Sequence, residues 1–330
     1  MAQISIAFQT DKPLTAYGPL AAQVESYGFD AVTVYNDLLY QPAWLPLWEM
    51  ARATHSVRVG VAAVNPFTCH PVNIAGHTAL INDAAGGRMY LGLARGGWLD
   101  FLGLYPQRTV TALREAFECV QHLLQQSDEP YNGAIFQTAG GDALRWPIAH
   151  PQVSMLLGSW GAQTIQACAP YIEEIKIGGS ANPAVIPHMR KLVDVAAVKA
   201  GRQPHDIGIV VGAVCVVDDD GPAARDYVRR EVALYLPVVA ELDPTVALDP
   251  ALLAQLKQAA ARFDYDAAAS LISDELLTRF AFAGTPNEVA AQAQALLAAG
   301  ATRVEFGTPH GRTTAEGLRL LGEEVLPQLK

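Results

Sequence analysis

The chain has 330 residues, 51% of them hydrophobic and 17% charged, a balance that excludes a disordered chain and provides for a large core. Its 23 Lys plus Arg against 33 Asp plus Glu leave a net charge of −10, and no basic run exceeds two residues. Neither a nucleic-acid phosphate backbone nor an anionic membrane surface is therefore an expected partner. In chain order, residues 4–8 read as a strand and 15–27 as a helix that stops at Gly28, a favoured residue just past a helix end. Strands follow at 31–35, 57–62 and 89–94, with helices at 43–54, 71–84 and 110–126. Further on come strand 153–157, helix 161–168, strand 172–177, helix 183–199, strand 207–217 and helix 222–238. Strand 302–306 and helix 313–328 close the series.

About eight strand–helix units, with strands too apolar for a one-sided sheet, predict a parallel sheet. No Gly-x-Gly-x-x-Gly fingerprint is present, which favours a closed (β/α)₈ TIM barrel over a doubly wound sheet. Two segments interrupt the repeat: 127–150, rich in Gly, Pro and Asp, and 239–282, Ala-rich and helical, with Asp243-Pro244 and Asp249-Pro250 as start signals. Neither is large enough for an independent domain, so residues 1–330 are expected to form one domain with two insertions. The uncharged stretches 59–82 and 146–172 are broken by Pro, Asn, Gln and His, and read as barrel core rather than membrane spans. Cys69, Cys119, Cys168 and Cys215 form no Cys-x-x-Cys pair, so neither a zinc site nor a disulfide framework is expected. Reduced thiols, and an N-terminus without a basic and apolar leader pattern, suit a cytoplasmic protein.

In such a barrel, chemistry sits where strands run into the following helices. The second strand ends at Asn36-Asp37, the third runs into Asn65-Pro66-Phe67, and the fourth ends at Arg95-Gly96-Gly97-Trp98. The fifth ends at Gly158-Ser159-Trp160-Gly161, the sixth at Gly178-Gly179-Ser180, and the eighth spans Glu305 to His310. Gly158 and Gly161 let the backbone approach a ligand, and exposed N–H groups at a helix start favour an anion. Arg95 adds a fixed cation for a phosphate. Tight strand–helix turns account for the same glycines without any ligand. A serine-hydrolase elbow is a poor match, because Leu157 stands where that motif requires glycine. The run Asp218-Asp219-Asp220 reads as a solvated turn starting a helix, not a metal site.

The segment 59–71, with its Asn65-Pro66-Phe67-Thr68-Cys69-His70-Pro71, and the segment 86–96 resemble the bacterial luciferase-like superfamily. Within it the chain is similar to the branch using the deazaflavin coenzyme F420, typified by methylenetetrahydromethanopterin reductases. Gly28-Phe29-Asp30-Ala31-Val32 and Glu174 to Ser180 match as well, so the resemblance spans roughly 1–235 and 284–311. It implies an oxidoreductase barrel holding a deazaflavin or flavin at the strand C-termini. Asp37 matches the acidic residue beside the ring. The resemblance also implies a bulge with a non-prolyl cis peptide after the third strand, at Ala62–Ala63. The phosphate end would meet Arg95, Gly96 and Gly97 with Gly158, Ser159, Trp160 and Gly161.

The Asn65 segment pulls towards F420 and Arg95 towards FMN; F420 is the expected cofactor and FMN the alternative. Leu38 and Gly97 stand where F420-dependent sugar-phosphate dehydrogenases carry His and Glu, so that activity is not carried over. His310 and Glu305 are the candidates for a proton donor or substrate contact, since a histidine titrates near neutrality. Glu305 equally suits a pairing with Arg303 or Arg312 at the barrel rim. His70 is expected to cap the third helix, His77 to pack, and Trp98 and Trp160 to wall a substrate pocket. Three functions compete. They are hydride exchange between F420 and a small-molecule carbonyl, imine or alkene, an FMN-dependent monooxygenase using O₂, and a catalytically silent flavin-binding barrel. The resemblance also implies a homodimer through the second and third helices.

Overall fold

The computed structural model describes residues 2–141 and 143–330. In chain order the strands are β1 (Gln3–Phe8), β2 (Ala31–Val34), β3 (Arg58–Val64), β4 (Met89–Ala94), β5 (Tyr131–Asn132) and β6 (Gln137–Thr138). They continue as β7 (Ser154–Gly158), β8 (Glu174–Gly178), β9 (Gly208–Val217), β10 (Ala281–Gly284) and β11 (Arg303–His310). The helices are α1 (Tyr17–Tyr27), α2 (Trp44–Ala53), α3 (Pro71–Ala84), α4 (Thr109–Leu124), α5 (Ala162–Cys168), α6 (Val185–Lys199) and α7 (Gly221–Ala233). After them come α8 (Leu236–Leu242), α9 (Pro250–Ala261), α10 (Tyr265–Ser270), α11 (Asp274–Leu277), α12 (Pro286–Ala298) and α13 (Thr314–Leu320). Apart from the β5–β6 hairpin the strands pair in parallel, and the fold is the expected (β/α)₈ barrel.

The chain divides into two compact units. One consists of Phe8–Lys176 and Leu192–Gly208. There β2, β3, β4, β7 and β8 form a parallel ladder in that order. Its strands are buried on both faces, which explains their unbroken apolar runs. Gly60 is required because a Cβ there would fall inside the Tyr90 ring, whose hydroxyl bonds Thr33. At the N-terminal ends of the strands, Glu25 on α1 draws four donors to one carboxylate oxygen. They are His55 N (2.8 Å), Ser56 N (2.6 Å), Ser56 Oγ (2.9 Å) and Val57 N (2.9 Å). Burial raises the Glu25 carboxyl, but those hydrogen bonds outweigh it and hold it at about 2. Arg88 grips the same loop by donating to the Thr54 and Val57 carbonyls.

The insertion at 127–150 contains the β5–β6 hairpin, seated on α4 by Glu115 and by Glu118, which accepts the Tyr131 hydroxyl at 2.6 Å. Glu115, 1% exposed, accepts from Ala134 N (2.9 Å), Ile135 N (2.7 Å) and Phe136 N (3.2 Å). Burial alone would raise the Glu115 carboxyl; the three backbone donors and Arg114 bring it below the usual carboxylate range.

The other unit holds residues 2–7, Ile177–Lys191 and Ile209–Lys330. Here β1 pairs with β11, β11 with β9, and β9 with β10. β10 is a ninth strand of the sheet, within and just beyond the segment expected to be helical; Ala-Phe-Ala-Gly is too short to show a period, and its Ala and Gly carry no strand preference. α12 lies outside the expected elements, and Thr285 and Glu288 form a capping box at its start. Asp249 caps α9 as expected. Asp243 does not start a helix: it ends α8, is buried, and accepts Asn182 Nδ2 at 2.9 Å. Asp220 caps α7, and Asp218 pairs with Arg312 at 2.7 Å, in keeping with a solvated turn.

Candidate active site

The C-terminal ends of β2, β3, β4 and β7 surround a cleft of about 610 Å³. Each edge is built by local chemistry. After β2, Asn36 accepts Ala43 N at 3.1 Å and so shapes the entry to α2. Asp37, exposed, accepts Gln9 Nε2 at 2.7 Å. The Gln9 amide is itself oriented, because its Oε1 accepts Thr10 N at 2.9 Å and its backbone carbonyl accepts the Tyr17 hydroxyl at 3.1 Å.

At the end of β3 the Ala62–Ala63 peptide is cis, and the β3–β4 register shifts between Val61 and Val64, the bulge that the resemblance implied. Asn65 then folds the following turn by accepting Phe67 N (3.0 Å), Thr68 N (2.9 Å) and Thr68 Oγ1 (3.1 Å). This arrangement dictates the next strand end. Gly96 has φ +85°, and a Cβ there would lie 3.0 Å from Asn65 Nδ2, so glycine is needed for both backbone and space. Arg95, exposed on the same turn, has no ion-pair or hydrogen-bond partner among the described residues. Around Gly97 there is open space. At the end of β7, a Cβ on Gly158 would meet the Ala94 Cβ at 3.1 Å and the Ala63 Cβ at 3.9 Å. Beyond it, Ser159 Oγ accepts Gly161 N at 3.1 Å, and no side chain caps the start of the seven-residue α5.

The cleft brings together Asp37, Ala63, Asn65, Arg95, Gly96, Gly97 and Gly158 of the expected residues. Ala62, Ser159, Trp160, Gly161, Gly178 and Gly179 are not among its lining residues. Gly179 has a packing task instead: with φ +77°, a Cβ would stand 2.8 Å from Val239 and 3.1 Å from the Tyr235 ring on and before α8. Trp98 lines the cleft; Trp160 does not.

Glu305 and His310 are both fully buried and outside the lining. Glu305 is not at a rim. It faces Arg303 at 3.6 Å, both groups shut from water, with Ser5 Oγ 3.3 Å from its carboxylate. Arg312, the other suggested partner, goes to Asp218. His310 has φ +79° and its Nε2 lies 3.0 Å from the Ala7 carbonyl. His70 caps α3 through Nδ1, and His77 stacks on Trp44 with centroids 4.8 Å apart; burial lowers the His77 pKa.

Sequence reading missed Gln9, Tyr40, Trp44, Thr68, Cys69 and Leu102. Gln9 directly follows the first strand, an end whose position alone marked it. Thr68 and Cys69 lie inside the motif already singled out. Burial raises the Cys69 thiol. In chemical terms the cleft offers one acid with a fixed partner, one cation without a partner, open glycine backbone and apolar walls, a composition typical of a cofactor site.

Known proteins align along nearly the whole chain. A 5,10-methylenetetrahydromethanopterin reductase of Archaeoglobus fulgidus is 27% identical over 93% of this chain and 93% of its own. That of Methanopyrus kandleri is 25% identical over 100% of both. Among solved structures, the coenzyme F420-dependent tetrahydromethanopterin reductase from Methanopyrus kandleri superposes with a TM-score of 0.90 at 22% identity, covering 100% of this chain and 99% of that one. An F420-dependent secondary alcohol dehydrogenase with an F420–acetone adduct gives 0.81 at 16% identity, covering 100% and 99%. Residues 3–303 match the luciferase-like monooxygenase family. The chain belongs to that family, and is an oxidoreductase.

Proposed function

We propose that this chain exchanges hydride between coenzyme F420 and a small organic molecule at the cleft formed by β2, β3, β4 and β7. The observation that carries the reading is the Asn65 turn, which gathers Phe67 N, Thr68 N and Thr68 Oγ1 and packs on Gly96 in the same cleft as Asp37 and Arg95, in a chain that aligns over its full length with a solved coenzyme F420-dependent reductase. The residues present fit such a group. A flat ring needs a narrow, Cβ-poor slot, and Ala63, Gly97 and Gly158 supply one. A phosphodiester tail needs a cation beside open backbone, and Arg95, Gly96 and Gly97 offer them. When bound, F420 supplies hydride donation or acceptance at its ring.

The remaining work falls to the chain. Arg95 binds the phosphate. Asp37, held by Gln9, orients the ring edge through a hydrogen bond. Asn65 keeps the 65–68 turn and Gly96 in register with each other, and Trp98 restricts water. His310 and Glu305 stay candidates for proton delivery, to be tested by His310→Gln and Glu305→Gln. Titration of the protein with F420, FMN and FAD in parallel tests the cofactor. Selective F420 binding supports the reading, and selective FMN binding with substrate-dependent O₂ consumption replaces it by a monooxygenase. The FMN reading has its own support in Arg95 and in the monooxygenases among structural relatives, one acting on long-chain alkanes at a TM-score of 0.75 and 14% identity. Binding of F420 without turnover over a broad substrate panel would leave a silent barrel. Apolar groups exposed on α2 and α3, among them Leu45 and Leu80, support a homodimer, checked by sedimentation.

A further inference from the structure

Around the mouth of the cleft, two loops turn large apolar side chains to water. Leu39 (91% exposed) and Tyr40 stand on the loop after β2. Trp98 (44%) and Leu102 (47%) stand on the loop after β4, and all four line the cleft. Soluble surfaces scatter such groups singly, and a cluster of them bordering a cleft marks a place where something apolar is covered. The backbone points the same way. Leu39 and Trp98 hold φ of +68° and +51°, a region that bulky residues seldom adopt and that gathers at ligand clamps. The turn Leu99–Leu102 is bracketed by Gly96 and Gly103, both at positive φ, so this part of the apolar mouth sits on one short turn between glycines. Charge completes the pattern. Only Asp37 and Arg95 carry charge among the residues lining the cleft, and both are engaged by the cofactor in the reading above.

We infer that the second reactant is an uncharged, mainly apolar molecule, and that Leu39, Trp98 and Leu102 select it by covering its hydrocarbon part. A polar or anionic substrate would find no second ionic partner in the lining and would face apolar walls at the entrance. This deepens the hydride-transfer reading and rests on it for the reaction, while the binding preference is measurable without turnover.

The test is ligand-observed saturation-transfer NMR on the full chain, alone and again with F420 at saturation. The probes are 2-butanone, 2-hexanone and 2-octanone, with glucose 6-phosphate as the charged polar comparison. Burial of a methylene tightens binding about four-fold per added carbon, so affinity should climb along the ketone series. Leu39→Ser combined with Leu102→Ser, both at exposed positions, should flatten that climb to below about 1.5-fold per carbon with an unchanged circular dichroism spectrum. No dependence on chain length in either state, or tighter binding of glucose 6-phosphate than of 2-octanone, overturns the inference. A dimer that the double variant dissolves overturns it too, because the patch would then be covered by a second copy. Failure of F420 to bind while the ketone series keeps its slope sinks the cofactor reading and leaves this one standing.

Discussion

Replacing Glu25 by Gln tests how far one carboxylate holds the N-terminal face of the barrel together. Its Oε1 takes four donors from residues 55–57, and its folded pKa is about 2 against an ordinary 4.5. At 1.36 kcal/mol per pH unit that difference is worth about 3.4 kcal/mol, which partial exposure to water reduces to about 2 kcal/mol. The sign follows from the lowered folded pKa. The contribution is present in full above pH 4.5 and is lost as pH falls towards 2. Urea unfolding of wild type and Glu25→Gln should therefore differ by about 2 kcal/mol at pH 7, and by visibly less at pH 3.5. The amide still offers an oxygen to the loop, so only the charge-assisted part is removed. A difference that stays constant from pH 7 to pH 3.5, or no difference at pH 7, would refute the assignment of that stability to the ionised carboxylate.

Arg95→Ala should weaken F420 or FMN binding by roughly 10- to 100-fold, the worth of a charged hydrogen bond to phosphate, in a fluorescence titration. An unchanged dissociation constant would remove Arg95 from the phosphate site. Gly96→Ala should cost about 1–2 kcal/mol through its positive φ and the 3.0 Å approach to Asn65 Nδ2. A double cycle with Asn65→Ala should show non-additivity, and simple additivity would mean the two residues do not press on each other. Glu305→Ala should lower stability by about 3–5 kcal/mol, since it strips Arg303 of a carboxylate in a water-free interior. A near-neutral outcome in thermal unfolding would show that the pair is not a structural one.

The barrel was legible because its strands are apolar on both faces and its helices end at recognisable residues such as Gly28, at φ +88°. Local caps were legible too, as at His70 and Asp249. The cis Ala62–Ala63 bond followed from the resemblance around Asn65, not from propensity, since two alanines carry no local reason for it. What escaped depends on contacts far apart in the chain. Gln9 and Asp37 meet across 28 residues, and nothing local in either announces the other. Gly179 looked like a ligand-facing glycine, but Tyr235 and Val239, more than fifty residues later, are what exclude its side chain. Arg303 and Glu305, two apart on one strand, were certain to share a face; only the closed sheet decides that this face is shut from water.

Besides the Tyr131 hydroxyl on Glu118, the hairpin within 127–150 meets its host helix through backbone amides on Glu115, and of the three residues so bound only Phe136 is itself buried. Such an attachment reads a loop's shape rather than its lettering. Substitutions at Ala134 and Ile135 leave the three amides in place, so the excursion is free to drift in sequence while it keeps its turn. Position 115 has no such freedom. A relative that discards the hairpin should discard the glutamate with it, or carry a charge inside its helix layer with only Arg114 to answer it. The two are therefore expected to travel together, so an acid at that helical position should forecast whether a related chain carries the excursion at all.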